Sequence, residues 1–356
     1  MNHYNCNICN KIYVNKVYYE KHISNSHKDK PDIFPQINIV KPILKWVGGK
    51  TQIIDKLMIN FPLEINNYRE IFLGGGSVLL TLLSYVKSGL IKINGIIYAY
   101  DLNDALINVY KNIQQTPDEV YDEIMKIIIE FNNCNDKLKG SGLGSGLGSG
   151  SGKKKIQCLP INIEEALLSK ENYYYWIRSL YNKSTTIQKN TPTGSAMFIF
   201  LNKTCFRGVF RVGPNGFNVP YGNYNSPEII NKEHLNDMHK LIKNVVFECL
   251  DFKVSLTNIE NNDYVYIDPP YASDNKNSFV GYTLNGFTTD NHNELFSLIH
   301  QLTNSNINIM LSNADVNMVR ENFTDKKYKI NSILCKRQIN SKNPADKASE
   351  VIITNY

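Results

Sequence analysis

Asp268-Pro269-Pro270-Tyr271 is the stretch of this chain whose residue types can do chemistry together. Tyr264 to Ile267, just before it, is a short apolar run rich in β-branched and aromatic residues, the pattern of a strand buried on both faces. Asp268 then falls at the C-terminal end of that strand, where open α/β sheets place ligand groups. Each proline fixes its φ and lacks an N–H, while its carbonyl still accepts a hydrogen bond. A carboxylate, free carbonyls and a tyrosine ring around one space suit an aromatic amine. The ring stacks on a flat heterocycle. The Asp268 carboxylate and the Pro269 carbonyl accept the two hydrogens of an exocyclic NH2. Four residues also fit a plain strand end with a proline turn, so other stretches must decide.

The elements that position this group begin at Pro42-Ile-Leu-Lys45-Trp46-Val-Gly-Gly-Lys50, ahead of an amphipathic run, Ile53 to Phe61, that reads as a helix. Its two glycines allow close approach of backbone to a ligand. Next comes Arg69-Glu70-Ile71-Phe72-Leu-Gly74-Gly75-Gly76-Ser77, then the apolar Val78 to Tyr85. This reads as strand, glycine loop and helix, the first βα unit of a nucleotide-binding sheet. A second strand, Ile96 to Tyr100, ends in Asp101. An acid there suits ribose hydroxyls, although it equally suits the N-cap of a helix from Ala105 to Ile113. Glu248 to Phe252 leads towards the Asp268 strand, and later strands are expected at Ile307–Leu311 and as a final pair at Tyr328–Lys336 and Glu350–Tyr356.

Between these strands lie helical patterns at 118–131 and 161–185, interrupted by a Gly/Ser run at 140–152 that reads as a flexible linker. A buried run, Ala196 to Leu201, leads into Phe206-Arg207-Gly208-Val209-Phe-Arg211, then Asn215-Gly216, a strong hairpin signal, then Phe217-Asn-Val-Pro220. Two arginines and several aromatics around a hairpin suit nucleic-acid contact; a solvated surface loop is the plainer alternative.

Residues 1–29 form a separate unit. Cys6, Cys9, His22 and His27 carry the spacing of a two-cysteine, two-histidine zinc finger, and Tyr4, Tyr13 and Tyr19 supply its small core. So short a segment needs the Zn2+ for stability. One finger covers about three base pairs, so its partner is DNA, as an auxiliary contact, or a protein. Residues 30–40 read as a linker.

Composition is globular, with 42% hydrophobic and 20% charged residues over 356 positions, enough for two or three domains. The net charge of +6 permits an anionic partner without requiring one. Seven cysteines without a disulfide framework suggest an intracellular compartment, cytoplasmic or nuclear. The polar N-terminus suggests no signal peptide, and no apolar run is long enough to span a bilayer.

Taken together, residues 41–356 resemble the Dam-like alpha group of DNA adenine-N6 methyltransferases. The stretch from Lys45-Trp46 to Lys50 resembles the group's opening cofactor motif, Phe72 to Gly76 its glycine motif, and Asp268 to Tyr271 its catalytic motif. Asp101 is similar to its ribose-binding acid and Asp251-Phe252 to the pair beside the cofactor adenine. Arg211 and Gly216 to Gly222 resemble its DNA-reading hairpin. The motif order also matches: glycine motif, recognition domain, catalytic motif. Departures are Ile71, where the group has proline, the Gly/Ser insert, and the finger, which points to a eukaryote or a large DNA virus infecting one.

The resemblance implies an α/β fold: a Rossmann-like S-adenosylmethionine-dependent sheet formed by 41–115 and 245–356, with a mainly helical recognition domain at 116–244. It implies catalysis by Asp268, Pro269, Pro270 and Tyr271. Trp46, Lys50, Phe72, Gly74, Gly76, Asp101, Asp251, Phe252 and Asp268 would hold the cofactor. Lys45, Phe206, Arg207, Val209, Arg211 and Pro220 would contact double-stranded DNA, GATC being the expected site. Methylation of RNA or of cytosine at its exocyclic amine, and a non-catalytic DNA-binding protein keeping the fold, stay open as alternatives.

Overall fold

The computed structural model describes residues 4–5, 12–13, 19, 22, 37–135, 159–272, 286–336 and 347–356. Two compact units emerge. One comprises Met1–Pro42, Val47–Asn103 and Asp237–Tyr356; the other comprises Ile43–Trp46 and Asp104–Asn236.

The first unit is built on a seven-stranded sheet among the described residues. Its strands are β1 Tyr68–Glu70, β2 Ile97–Asp101, β3 Val245–Cys249, β4 Tyr264–Ile267, β5 Asn308–Ala314, β6 Lys329–Lys336 and β7 Lys347–Thr354. The spatial order is β6-β7-β5-β4-β1-β2-β3. β3, β2, β1, β4 and β5 run parallel to one another, whereas β7 is antiparallel to both β5 and β6. The strand order reverses beside β1 and β4, so their C-terminal ends form the switch-point crevice where such sheets bind ligands. The sheet is mixed α/β and largely parallel, as the apolar runs implied.

Every residue of β4 is buried. Val265 and Ile267 pack with Ile309, Leu311, Val351 and Ile353, and with Leu295, Phe296 and Ile299 of the helix Thr289–Asn304. Each such side chain contributes roughly 1.5–3 kcal/mol on burial. A buried ion pair fixes β1 to the turn ahead of β4. Arg69 Nε lies 3.1 Å from Asp263 Oδ2, and its remaining nitrogens donate to the Tyr100 hydroxyl and the Asn258 carbonyl. Removing one partner of such a pair costs about 3–5 kcal/mol, because the other charge stays buried. Ile71 continues the ladder: its N–H donates to the Tyr266 carbonyl at 3.1 Å, a bond that proline cannot make. The departure at this position therefore adds a rung between β1 and β4.

In the second unit the longer helices are α2 Asp104–Gln115, α3 Pro117–Asn132, α4 Lys170–Lys183 and α5 Pro192–Thr204; α1, Ser77–Lys87, and α6, Thr289–Asn304, belong to the first. α5 is buried almost all round, including Phe198, Ile199, Phe200 and Leu201, as expected of a central helix. The sequence put the boundary after residue 115, yet α2 falls in the second unit. Its Asn112 donates to the Asn190 carbonyl and to Ser195 Oγ, and Asp104 accepts from Asn190.

At the N-terminus, Tyr4–Asn5 pairs antiparallel with Ile12–Tyr13. Tyr19 and His22 are helical. The Tyr13 ring stacks on His22 with centroids 4.8 Å apart and meets Tyr19 edge-on at 5.8 Å. The expected zinc ligands Cys6, Cys9 and His27 lie outside the described residues, as does the Gly/Ser run at 140–152. Among the described residues no group of three or more His, Cys, Asp or Glu is gathered as a metal site.

Candidate active site

Asp268 stands at the C-terminal end of β4 and forms a salt bridge with Lys50, Nζ to Oδ2 at 2.7 Å. Lys50 is itself only 4% exposed and donates to the Gly48 carbonyl at 2.8 Å; its backbone N–H is tied to Ser77 Oγ. The other carboxylate oxygen, Asp268 Oδ1, is buried with no hydrogen-bond partner among the described residues. Burial pushes Asp268 up to about 6, against the downward pull of Lys50. Glu70, at the end of β1, is pushed further, to about 8, by burial and secondarily by the Asp268 charge; its Oε2 accepts from the Tyr68 hydroxyl at 2.7 Å.

The turn after Asp268 is held from three elements. The Tyr271 hydroxyl donates to Glu350 Oε2 on β7 at 2.7 Å, and Lys50 Nζ lies 4.7 Å from the Tyr271 ring centroid. The Ala272 N–H donates to Asn313 Oδ1 on β5 at 2.9 Å. His292, in the first turn of α6, has Nε2 3.0 Å from the Pro270 carbonyl and Nδ1 3.0 Å from the Thr288 carbonyl. A neutral imidazole donates through one nitrogen only, so the cation alone satisfies both carbonyls. Burial opposes that cation and lowers the His292 pKa.

The glycine loop follows β1. Gly74 and Gly76 have φ of 50° and 67°, the left-handed region that glycine enters without strain, and α1 starts directly after them. The Gly74 N–H donates to Asp101 Oδ2 at 2.9 Å, and the Asn103 N–H donates to Oδ1 at 2.9 Å. Asp101 thus bridges the glycine loop and the end of β2, and it does not cap α2. With the Leu102 N–H as a third backbone partner, the carboxylate, which offers about four sites, keeps some acceptor capacity. Burial raises its pKa. Phe72, Phe252 and Phe287 form an aromatic cluster with centroids 5.7–6.0 Å apart. Asp251 caps the short helix Phe252–Ser255.

The remaining residues singled out by sequence fall in the second unit. Trp46 stacks on Phe210 and Phe198, at 5.4 and 6.4 Å. The Lys45 backbone is locked to Asn202 in both directions at 2.8 Å, while its ammonium lies over the Tyr224 ring. Phe206 is 44% exposed beneath the Arg207 guanidinium, and Arg207 itself has φ of 58°. Gly208 passes against Lys45 so closely that a Cβ would sit 2.6 Å from its side chain. Val209 is half-buried and Pro220 exposed; the Pro220 carbonyl accepts from the Phe206 N–H at 2.8 Å. The expected hairpin forms between Val212–Gly213 and Gly216–Phe217. Beside it, Arg211 Nε donates to Asn218 Oδ1 at 2.7 Å.

Sequence reasoning missed Glu70, His292, Asn313 and Glu350 as parts of the site. Glu350 had a visible signal, a carboxylate directly preceding the apolar run Val351–Ile353. His292 had none, because its role depends on where α6 meets the turn.

A family model described as D12 class N6 adenine-specific DNA methyltransferase matches residues 46–139 and 153–339. The type II methyltransferase M.MjaIII of Methanocaldococcus jannaschii is 32% identical over 329 residues, covering 89% of this chain and 99% of that protein. The DNA adenine methylase of Haemophilus influenzae is 27% identical, covering 81% of this chain and 85% of that protein. That of Escherichia coli K12 is 24% identical, covering 89% and 95%.

Proposed function

This chain belongs to the D12 class N6 adenine-specific DNA methyltransferases, and from that membership we propose how its residues divide the work. The reaction is transfer of a methyl group from S-adenosylmethionine to the N6 amine of adenine in duplex DNA. The observation that carries this reading is the Asp268 carboxylate, with Oδ2 bound by Lys50 and a buried Oδ1 left to accept.

The chain's residues suit the cofactor. The positive-φ glycines 74 and 76 bring backbone close to a ligand, Asp101 retains acceptors for ribose hydroxyls, and Phe72 with Phe252 offers apolar ring surface. Lys50, Asp251, Asp268 and Trp46 complete the set, the Trp46 ring being steadied by Phe198 and Phe210. When bound, S-adenosylmethionine supplies a methyl group already activated on a sulfonium.

The target adenine leaves the base stack to reach such a site. Tyr271 stacks on it. Asp268 Oδ1 and the Pro269 carbonyl accept the two amine hydrogens, which turns the nitrogen lone pair out of conjugation and aims it. As nitrogen gains the methyl group it sheds a proton, and Asp268 Oδ1 takes it. Much of the acceleration is orientation, worth most when reacting atoms are held about 3–3.5 Å apart. The second unit reads the DNA, through Arg211 and the hairpin with Lys45, Phe206, Arg207, Val209 and Pro220 around it, and GATC is the proposed site. The N-terminal hairpin, with His22 against Tyr13, is a zinc finger whose partner is DNA or a protein. The relatives named above are archaeal and bacterial, so a nuclear or viral setting rests on the finger alone. Among the described residues no helix is long and apolar enough to cross a membrane.

Incubating the protein with duplex DNA and methyl-labelled cofactor, then mapping the label, tests the reading. N6-methyladenine is expected. Label on cytosine or on RNA alone, or cofactor binding without transfer, would overturn it.

A further inference from the structure

Two prolines fix the backbone that delivers Tyr271, but neither constrains the plane of its ring. Stacking requires that plane to be set before the base arrives. Its hydroxyl ends 2.7 Å from Glu350 Oε2. Glu350 lies on β7, whose backbone pairs on both sides: Glu350 is in register with Ala314 of β5 and with Ile333 of β6. The acceptor is therefore mounted on an interior strand, not on a loop. The ring's face is engaged separately by Lys50, 4.7 Å from the centroid, and Lys50 is itself fixed by Asp268 and the Gly48 carbonyl.

We propose that Glu350 is a positioning residue for methyl transfer, holding the Tyr271 ring by its hydroxyl in the plane that receives the target base. It touches neither base nor cofactor. This rests on the reading of Tyr271 as the stacking residue. What Glu350 supplies is an acceptor at one reach from the β7 backbone. Glutamine keeps that reach and an oxygen. Aspartate keeps the charge but withdraws the oxygen by one methylene. The proposal therefore orders the variants by side-chain length, not by charge.

The test compares Glu350→Gln, Glu350→Asp, Glu350→Ala, Tyr271→Phe and the double change Glu350→Ala with Tyr271→Phe. Initial rates on plasmid DNA with labelled cofactor give kcat and KM, and calorimetry gives the cofactor Kd. Glu350→Asp, Glu350→Ala and Tyr271→Phe should each lower kcat about tenfold or more, the loss expected for one hydrogen bond to a charged acceptor. Glu350→Gln should stay within about threefold of wild type, a neutral acceptor at the same reach retaining most of the bond. The cofactor Kd should be unchanged. The double variant should be no slower than either single variant, because both remove one interaction. Additive losses in the double variant, or Glu350→Asp active with Glu350→Gln as poor as Glu350→Ala, would overturn the proposal. If Glu350→Ala fails to bind cofactor, the ranking of Gln above Asp decides alone. A wild-type protein that makes no N6-methyladenine overturns the functional reading itself, a separate outcome.

Discussion

Lys50 Nζ sits 2.7 Å from Asp268 Oδ2, with both side chains largely shielded from water. The lysine comes from the segment ahead of β1 and the aspartate from the end of β4, so the pair forms only when the parallel sheet has assembled. The bridge occupies one carboxylate oxygen and leaves the other without a hydrogen-bond partner among the described residues. Removing Asp268 removes the amine acceptor without touching the glycine loop. Asp268→Ala should abolish methyl transfer nearly completely while the cofactor Kd, measured by calorimetry, changes little. Near-normal turnover in that variant would remove Asp268 from the mechanism.

Acid should inactivate the enzyme before it unfolds it. Asp268 must be ionised to take the proton that the amine sheds, and burial raises its pKa to about 6. Activity should therefore rise as pH rises through about 6. Lys50→Met removes the cation that lowers this value and should move the acid limb of the rate profile upward. An unmoved limb would separate Lys50 from the ionisation of Asp268.

Stability should follow the opposite trend. Burial raises Glu70 from its ordinary 4.5 to about 8, so across that interval the folded protein holds a proton that the unfolded chain has released. Stability is thus fullest at the acid end of that interval and declines as pH rises through it. Glu70→Gln should flatten the dependence of Tm on pH between those values. The same slope in the variant would assign the effect to other groups.

Arg211 carries the prediction about specificity. In the free protein its guanidinium is held by Asn218, through Nε to Oδ1 at 2.7 Å. A bidentate contact to guanine is worth roughly 1–3 kcal/mol of discrimination. Arg211→Ala should relax selectivity at one base pair of GATC, measured on duplexes changed at each single position. Lys45→Ala should instead weaken binding to all duplexes alike and reduce the salt slope by about 1. An Arg211→Ala enzyme as selective as wild type would exclude Arg211 as the reader.

The N-terminal unit should be separable. Deleting residues 1–29, or stripping zinc with a chelator, should leave methyl transfer on saturating DNA unchanged, because the Lys50–Asp268 pair and the Gly74–Asp101 contact lie outside it. Metal analysis of the intact protein should return one zinc per chain. A truncated chain unable to bind cofactor would show that the units are interdependent.

Much of the sheet was legible because its strands are continuous apolar runs. Tyr264–Ile267 matches its strand at both ends, while the run Ile307–Leu311 starts one residue early and stops three short of Ala314. The pairing partners were not legible. Nothing local in the sequence says that Glu350 meets Tyr271, that His292 meets Pro270, or that Arg69 meets Asp263, since each contact joins segments far apart in the chain. The unit boundary shifted for a similar reason, since α2 follows its hydrogen bonds to Asn190 and Ser195.

The chain leaves the first unit after Asn103 and re-enters it at Asp237. β2 and β3 then lie side by side in register, Asp101 opposite Cys249, as if the intervening residues were one long connection. Closing a connection costs free energy that grows only with the logarithm of its length, about 0.6 kcal/mol for each doubling. Lengthening a flexible connection within residues 104–236 therefore costs the sheet little. Replacing those residues whole would cost more, because Lys45 and Trp46, from the segment ahead of the sheet, pack on Asn202, Phe198 and Phe210.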